Sequence, residues 1–281
     1  MRLRTLPVSV AGVLMAVALS IAHNTFNPIP AAICLVLAVL AQIASNFANE
    51  YFDYTAGRDR PGREGPRRGV TEGEISPDAM KKAIYIALGL AGCFGLSLVA
   101  WGGWWLVFAG VLIAFGALAY STGPFPLSTH GWGEVAVIFF FGIIPVNLTY
   151  YVQSLAWSLD VALASVAVGL MGANVLIINN YRDMEDDLAV DKRTLCVRWG
   201  RKAMRVIYLL NACVAALLLL PQWLDLGWRG EIIAIVYLVL SGRIADKMKS
   251  RLGASLTPLL AATSLLMAGV ALALILAQFI P

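Results

Sequence analysis

The sequence predicts an all-α integral membrane protein, a nine-transmembrane-helix bundle with a central cavity opening at the cytoplasmic side. Three observations predict it. Apolar residues make up 59% of the chain and charged residues only 14%, where a soluble domain carries about 25% charged. Nine apolar stretches approach the roughly 20 residues that a helix needs to cross a bilayer. Lysine and arginine collect in alternate connections, as cytoplasmic loops do.

The stretches run in order near 6–22, 29–46, 83–101, 104–120, 134–152, 160–179, 204–222, 231–242 and 256–280. The first lacks a small-residue cleavage site after a short apolar core, so no removable signal peptide is expected there. The second ends in Asn46-Phe-Ala-Asn49-Glu50-Tyr-Phe-Asp53. Residues 50–82 then form a long connection whose glycines and prolines forbid one continuous helix. Ser76-Pro77-Asp78 reads as a helix cap leading into the third stretch. The connection from Tyr120 to Gly131 is Gly/Pro-rich and semi-rigid. The sixth stretch ends in Asn179-Asn180-Tyr-Arg182-Asp183-Met-Glu-Asp-Asp187, and residues 181–203 form the second basic connection. The eighth stretch is short, and the whole chain, 1–281, is expected to act as one unit.

Charge sets the topology. Two basic residues precede the first stretch and seven lie between the second and third. Seven more lie between the sixth and seventh, counting Arg205 at the head of the seventh, and four between the eighth and ninth. Only Arg229 falls elsewhere. A cytoplasmic N-terminus puts every basic segment, and both Asn/Asp clusters, on the cytoplasmic side. The net charge of +4 comes from these loops and calls for no nucleic acid. Cys34, Cys93, Cys196 and Cys213 have no C-x-x-C spacing, so neither a disulfide framework nor a zinc site is indicated.

The two clusters carry the chemistry. Asn46, Asn49, Glu50 and Asp53 fall at i, i+3, i+4 and i+7, one stripe of a helix; Asn179, Asp183 and Asp187 fall at i, i+4 and i+8. Carboxylates near hydrocarbon need a compensating partner. Two like-signed oxygen-rich stripes suit a hard divalent cation between them, and Mg²⁺ commonly joins one or two carboxylates to substrate phosphates. A diphosphate clamped in this way loses pyrophosphate more readily. Arg58, Arg182, Lys192 and Arg193 are the nearest basic residues in sequence that could complete the clamp. The clusters lie four spans apart, which suggests an internal duplication. A carbocation formed by ionising an allylic chain needs a dry, aromatic-lined cavity; candidate walls are Trp101, Trp104, Trp105, Phe139, Phe140 and Phe141. His23 lies at the far end of the first stretch, whereas His130 is on the side of the clusters.

These residues resemble those of the UbiA-type membrane prenyltransferases. Asn49-Glu50-x-x-Asp53 with Asp59 is similar to the family's first motif and Asp183-x-x-x-Asp187 to its second. Arg4-Thr-Leu-Pro7, Gly65-Pro-Arg-Arg-Gly69, Gly123-Pro-Phe-Pro-Leu127 and Lys192-Arg-Thr-Leu195 look most like the branch that prenylates 1,4-dihydroxy-2-naphthoate. Glu50 stands where the family usually has Asp, which weakens its case as a metal ligand. The resemblance implies a Mg²⁺-dependent transfer of a polyprenyl group from polyprenyl diphosphate to an aromatic acid in a bilayer, here with loss of CO₂ in menaquinone biosynthesis. It implies that Asn49, Asp53, Asp59, Asp183 and Asp187 hold Mg²⁺, with Asp53, Asp183 and Asp187 essential to turnover. Asn46, Arg58, Asn180, Arg182, Lys192 and Arg193 would bind substrate, and Tyr120 would contact its allylic end. Rival readings are a prenyltransferase for another acceptor (4-hydroxybenzoate, homogentisate or haem), a transporter, and a non-catalytic membrane assembly partner. The polar stripes sit at helix ends on one side, which disfavours alternating access.

Overall fold

Capping chemistry sets where several helices begin. In the computed structural model, which describes residues 6–59 and 67–280, α1 covers Leu6–Ala22 and α2 covers Pro28–Thr55. Asn27 caps α2 by accepting from the Ile29 amide at 3.2 Å, with Pro28 at the first position. Ser76 caps α3, Pro77–Ser97, by accepting from the Ala79 amide at 3.2 Å, as its sequence signature predicts. A short turn of helix, Val99–Gly102, leads to α4, Trp105–Ala119. Helix α5 spans Gly133–Ser154 and contains a π-helical segment, Ile138–Ile143. Helix α6 is Leu159–Arg182, followed by the short helix Met184–Ala189. Thr194 caps α7, Leu195–Leu218, which is kinked at Gly200, whose φ of 77° is open to glycine at no steric cost. Helices α8, Trp228–Lys247, and α9, Thr257–Ala277, complete the described chain.

The described residues are all helix and connection, with no strand. Five helices are long and apolar enough to cross a membrane: α2, α3 with its continuation to Gly102, α5, α6 and the segment Gly253–Ala277. Helices α1 and α4 are shorter and apolar. The stretch expected at 204–222 is split between α7 and a short helix, Leu220–Asp225, and that at 231–242 lies within α8; charged residues at their ends, such as Arg201 and Lys247, keep them out of that set.

Helix α6 is the hub. Its apolar window is 72% buried, and it packs on α1, α5, α7 and α9. An added Cβ at Gly142 of α5 would meet the Gly169 Cα of α6 at 2.4 Å, so the two backbones touch across paired glycines. One large core joins α1, α5, α6, α7, α8 and α9. A smaller one gathers Val13, Cys34, Leu98, Leu106 and Val152 around α2 and α4. The space between these two cores holds the cavity described next.

Two expectations are revised. Helix α2 continues past the apolar stretch to Thr55, so the whole first stripe lies on helix rather than in the loop assigned to 50–82. The second stripe is not one unbroken helix: α6 stops at Arg182, and Asp183 sits at the junction with φ −91° and ψ 10°. The bonds from Asp183 N–H to Asn179 C=O (3.0 Å) and from Asp187 N–H to Asp183 C=O (2.8 Å) keep the helical register across that bend. Arg4, Thr5, Gly65 and Pro66, quoted for the family resemblance, lie outside the described residues.

Candidate active site

The first cluster is buried and bound by arginine. Asn49 and Asp53 are buried at the end of α2. The Asn49 amide donates to Ser121 Oγ at 3.2 Å, and Arg58 donates to the Ser121 carbonyl at 3.1 Å. Arg58 Nε stands 3.4 Å from Asp53 Oδ1, and Arg68 Nη1 3.3 Å from Asp53 Oδ2. Arg68 Nε lies 3.3 Å from Asp59, which also accepts from Thr71 Oγ1 at 2.6 Å. Glu50 accepts from the Val70 amide at 3.0 Å, so it fastens the loop to α2. Asn46 accepts from Gln42 at 3.5 Å.

The second cluster is similarly compensated. Arg182 Nε donates to Asp183 Oδ1 at 2.6 Å, and its Nη2 donates to Asp183 Oδ2 and Asn179 Oδ1, both at 2.9 Å. Lys192 Nζ is 3.1 Å from Asp187. Asn180 donates to Glu134 Oε1 at 2.9 Å. Arg193 pairs instead with Asp191 at 2.6 Å and is 58% exposed, turned away from the other predicted residues. Just beyond, hydrogen bonds from Arg201 hold the Glu185 carboxyl below its ordinary range.

Both clusters reach one chamber. Asn46, Asn49 and Arg68 line it from one side and Asn179, Asn180 and Lys192 from the other, around about 980 Å³ of space between atoms. Tyr120 and Glu134 complete its polar wall. A second, apolar chamber of about 1100 Å³ adjoins it, with Val13, Leu37, Leu106, Ile113, Phe140 and Leu148 in its wall. Gln42, Ser45, Tyr120, Val137 and Phe141 belong to both walls, so the two chambers lie side by side. Asp53, Asp59, Asp183 and Asp187 stand behind the polar lining.

Among the described residues no three His, Cys, Asp or Glu side chains gather closely enough to hold a metal by themselves. The donor set is nevertheless buried hard oxygen, and each acid is matched to a guanidinium or ammonium. Buried carboxylates of this kind demand positive charge, and oxygen ligands are those that Mg²⁺ prefers. The oxygen donors are thus of the kind that suits a hard cation, while the charge they demand is met here by Arg68, Arg182 and Lys192.

Sequence reasoning missed Arg68 and Glu134. Arg68 lay within a quoted segment but was lost among loop arginines. Glu134 had a usable signal: a lone acid at the head of an apolar stretch is a functional candidate by default. Of the aromatic residues proposed as walls, only Phe140 and Phe141 line the chambers. Trp104 is 79% exposed, Trp105 and Phe139 face outward, and Trp101 packs on the smaller core. His130 stacks on Phe125 with ring centroids 3.9 Å apart and lines neither chamber. His23 pairs with Tyr150 (2.7 Å) and Asp160 (3.2 Å) near the start of α2, remote from both clusters.

A helical bundle with membrane-length apolar helices encloses a polar chamber beside an apolar one, space that matches an amphiphilic molecule in character. The chain belongs to the UbiA prenyltransferase family, whose sequence pattern matches residues 9–251. It is 32% identical over 276 residues to the 1,4-dihydroxy-2-naphthoate octaprenyltransferase of Haemophilus influenzae, covering 94% of this chain and 89% of that protein. It is 38% identical over 206 residues to the Escherichia coli protein of the same name, covering 71% and 67% respectively. A UbiA homolog from Archaeoglobus fulgidus bound to DMAPP and Mg²⁺ superposes with a TM-score of 0.66 at 15% identity, covering 97% of this chain and 98% of that one.

Proposed function

We propose that this protein transfers a polyprenyl group from polyprenyl diphosphate to 1,4-dihydroxy-2-naphthoate, whose ring carboxylate leaves as CO₂ to give a demethylmenaquinol. One observation carries the reading: a polar chamber lined from both Asn/Asp clusters adjoins an apolar one and shares wall residues with it. An isoprenoid diphosphate has that same division between head and tail. The names of the two bacterial relatives supply the acceptor.

In this reading Asn49, Asp53, Asp59, Asp183 and Asp187 hold Mg²⁺, the ion bound by the Archaeoglobus protein. An ion held there would supply positive charge to offset that developing on departing pyrophosphate. Asn46, Asn180, Arg68, Arg58, Arg182 and Lys192 bind or orient the diphosphate and its ligands. Arg193 drops out of this role because its side chain faces Asp191. Tyr120, in the wall shared by both chambers, sits beside the allylic carbon. Phe140 and Phe141 shield the cationic chain from water.

The positive-inside distribution supports nine spans with the N-terminus and the polar chamber on the cytoplasmic side of a bacterial inner membrane. The test is incubation of membranes containing the protein with labelled polyprenyl diphosphate and a panel of aromatic acids, with products weighed by mass spectrometry. A decarboxylated, prenylated naphthalenediol is expected. Prenylation of 4-hydroxybenzoate alone, or of nothing, rejects the reading.

A further inference from the structure

We infer that Glu134 is the recognition group for the acceptor ring, its Oε2 receiving a hydrogen bond from a ring hydroxyl. The inference rests on the reading above and deepens it by assigning the second substrate a site.

Among the described residues, the buried polar atoms of the polar chamber that have no hydrogen-bond partner include Asn46 Nδ2, Ser128 Oγ and Glu134 Oε2. The first two are donors or hydroxyls, and an ionised diphosphate, which presents acceptor oxygens, satisfies them. It offers no donor to an ionised Glu134. A carboxylate oxygen beside a diphosphate repels it, and a buried acceptor left unpaired is costly. A hydroxylated ring offers the missing donor.

The placement agrees. Glu134 is 6% exposed, and the Asn180 amide fixes its other oxygen at 2.9 Å. Asn180 adjoins Asn179 of the second cluster, which puts a ring seated here next to the diphosphate site. An ideal Cβ on Gly133 would lie 3.5 Å from the Tyr120 hydroxyl, so Tyr120 leans over this same end of α5. Val137 and Phe141 follow Glu134 along α5 and line both chambers, offering apolar surface for the ring. A hydrogen bond from hydroxyl to carboxylate also enriches the ring in electrons for attack on the allylic carbon. Glu134 forms no covalent bond in this scheme.

The experiment measures dissociation constants of purified protein for 1,4-dihydroxy-2-naphthoate, 1-hydroxy-2-naphthoate and 4-hydroxy-2-naphthoate by ligand fluorescence. Wild type is expected to bind one of the two monohydroxy rings about ten- to a hundredfold more weakly than the diol, the worth of a hydrogen bond to a charged group. Glu134→Gln, which presents a donor in place of the acceptor, is expected to bind the diol that much more weakly and to lose the discrimination. Its affinity for geranyl diphosphate with Mg²⁺ does not fall, because the lost charge is one that repels the diphosphate. Equal binding of all three rings by wild type overturns the inference, as does retained discrimination in Glu134→Gln or an equal loss of geranyl diphosphate affinity. If Glu134→Gln does not fold, Glu134→Asp keeps the charge but retracts it, and undiminished discrimination there overturns the inference. Ring binding that ignores Glu134 sinks this assignment alone, whereas a wild type that binds and prenylates no naphthoate sinks the function proposed above.

Discussion

Arg68 and Asp53 form a sealed ion pair: Arg68 Nη1 lies 3.3 Å from Asp53 Oδ2, and the two side chains are 5% and 6% exposed. Arg68 comes from the loop after α2 and folds back on the helix that carries Asp53. Its Nε simultaneously stands 3.3 Å from Asp59. One guanidinium thus answers two carboxylates, and the loop is tied to the site by charge.

Removing that guanidinium should be expensive. Arg68→Ala leaves two acids buried without it, and breaking a buried pair costs about 3–5 kcal/mol. Detergent-solubilised Arg68→Ala should melt well below wild type, with Arg68→Lys recovering part of the difference. An unchanged melting temperature would show that the pair has no structural role.

The acids themselves should be indispensable to turnover, and their loss should lower the melting temperature without abolishing the fold. Asp53→Asn and Asp183→Asn each keep size and shape while removing a charge, so product formation should be lost and the helical circular dichroism retained. Chelation of wild type by EDTA should stop the reaction, and added Mg²⁺ should restore it. Activity surviving in both variants rejects the cation clamp.

The glycine contact between α5 and α6 should tolerate nothing larger. A Cβ at Gly142 would meet the Gly169 Cα and the Ser165 carbonyl oxygen, each at 2.4 Å, and backbone cannot step aside as a side chain can. Gly142→Ala should destabilise the protein by about 1–3 kcal/mol, as overpacking does. Gly269→Ala, where the added atom meets nothing within 4 Å inside helix α9, should not destabilise the protein and should raise stability by up to about 1 kcal/mol. Equal melting of the two variants in a thermal-shift series contradicts this.

Much of the site was legible because it obeys local rules. Hydrophobic runs mark helices whatever they pack against, and the cap at Ser76 is written in three consecutive residues. The Asn/Asp stripes follow from helical spacing alone, and α2 bears the first of them out. Arg68 escaped because nothing local separates it from the other loop arginines. The aromatic walls escaped for a similar reason: Phe139, Phe140 and Phe141 are consecutive, yet Phe139 faces outward while the other two face the chambers.

The amino-acid order alone dictated the helices and the oxygen-rich stripes, since backbone periodicity and the cost of charge in hydrocarbon act within a few residues. The assembled bundle alone decided that Asn49 and Asn179 share one chamber, that Arg68 turns inward and Arg193 outward, and that Glu134 faces the cavity. Those outcomes depend on contacts between side chains tens of residues apart, and no short-range pattern encodes which faces of distant helices will meet.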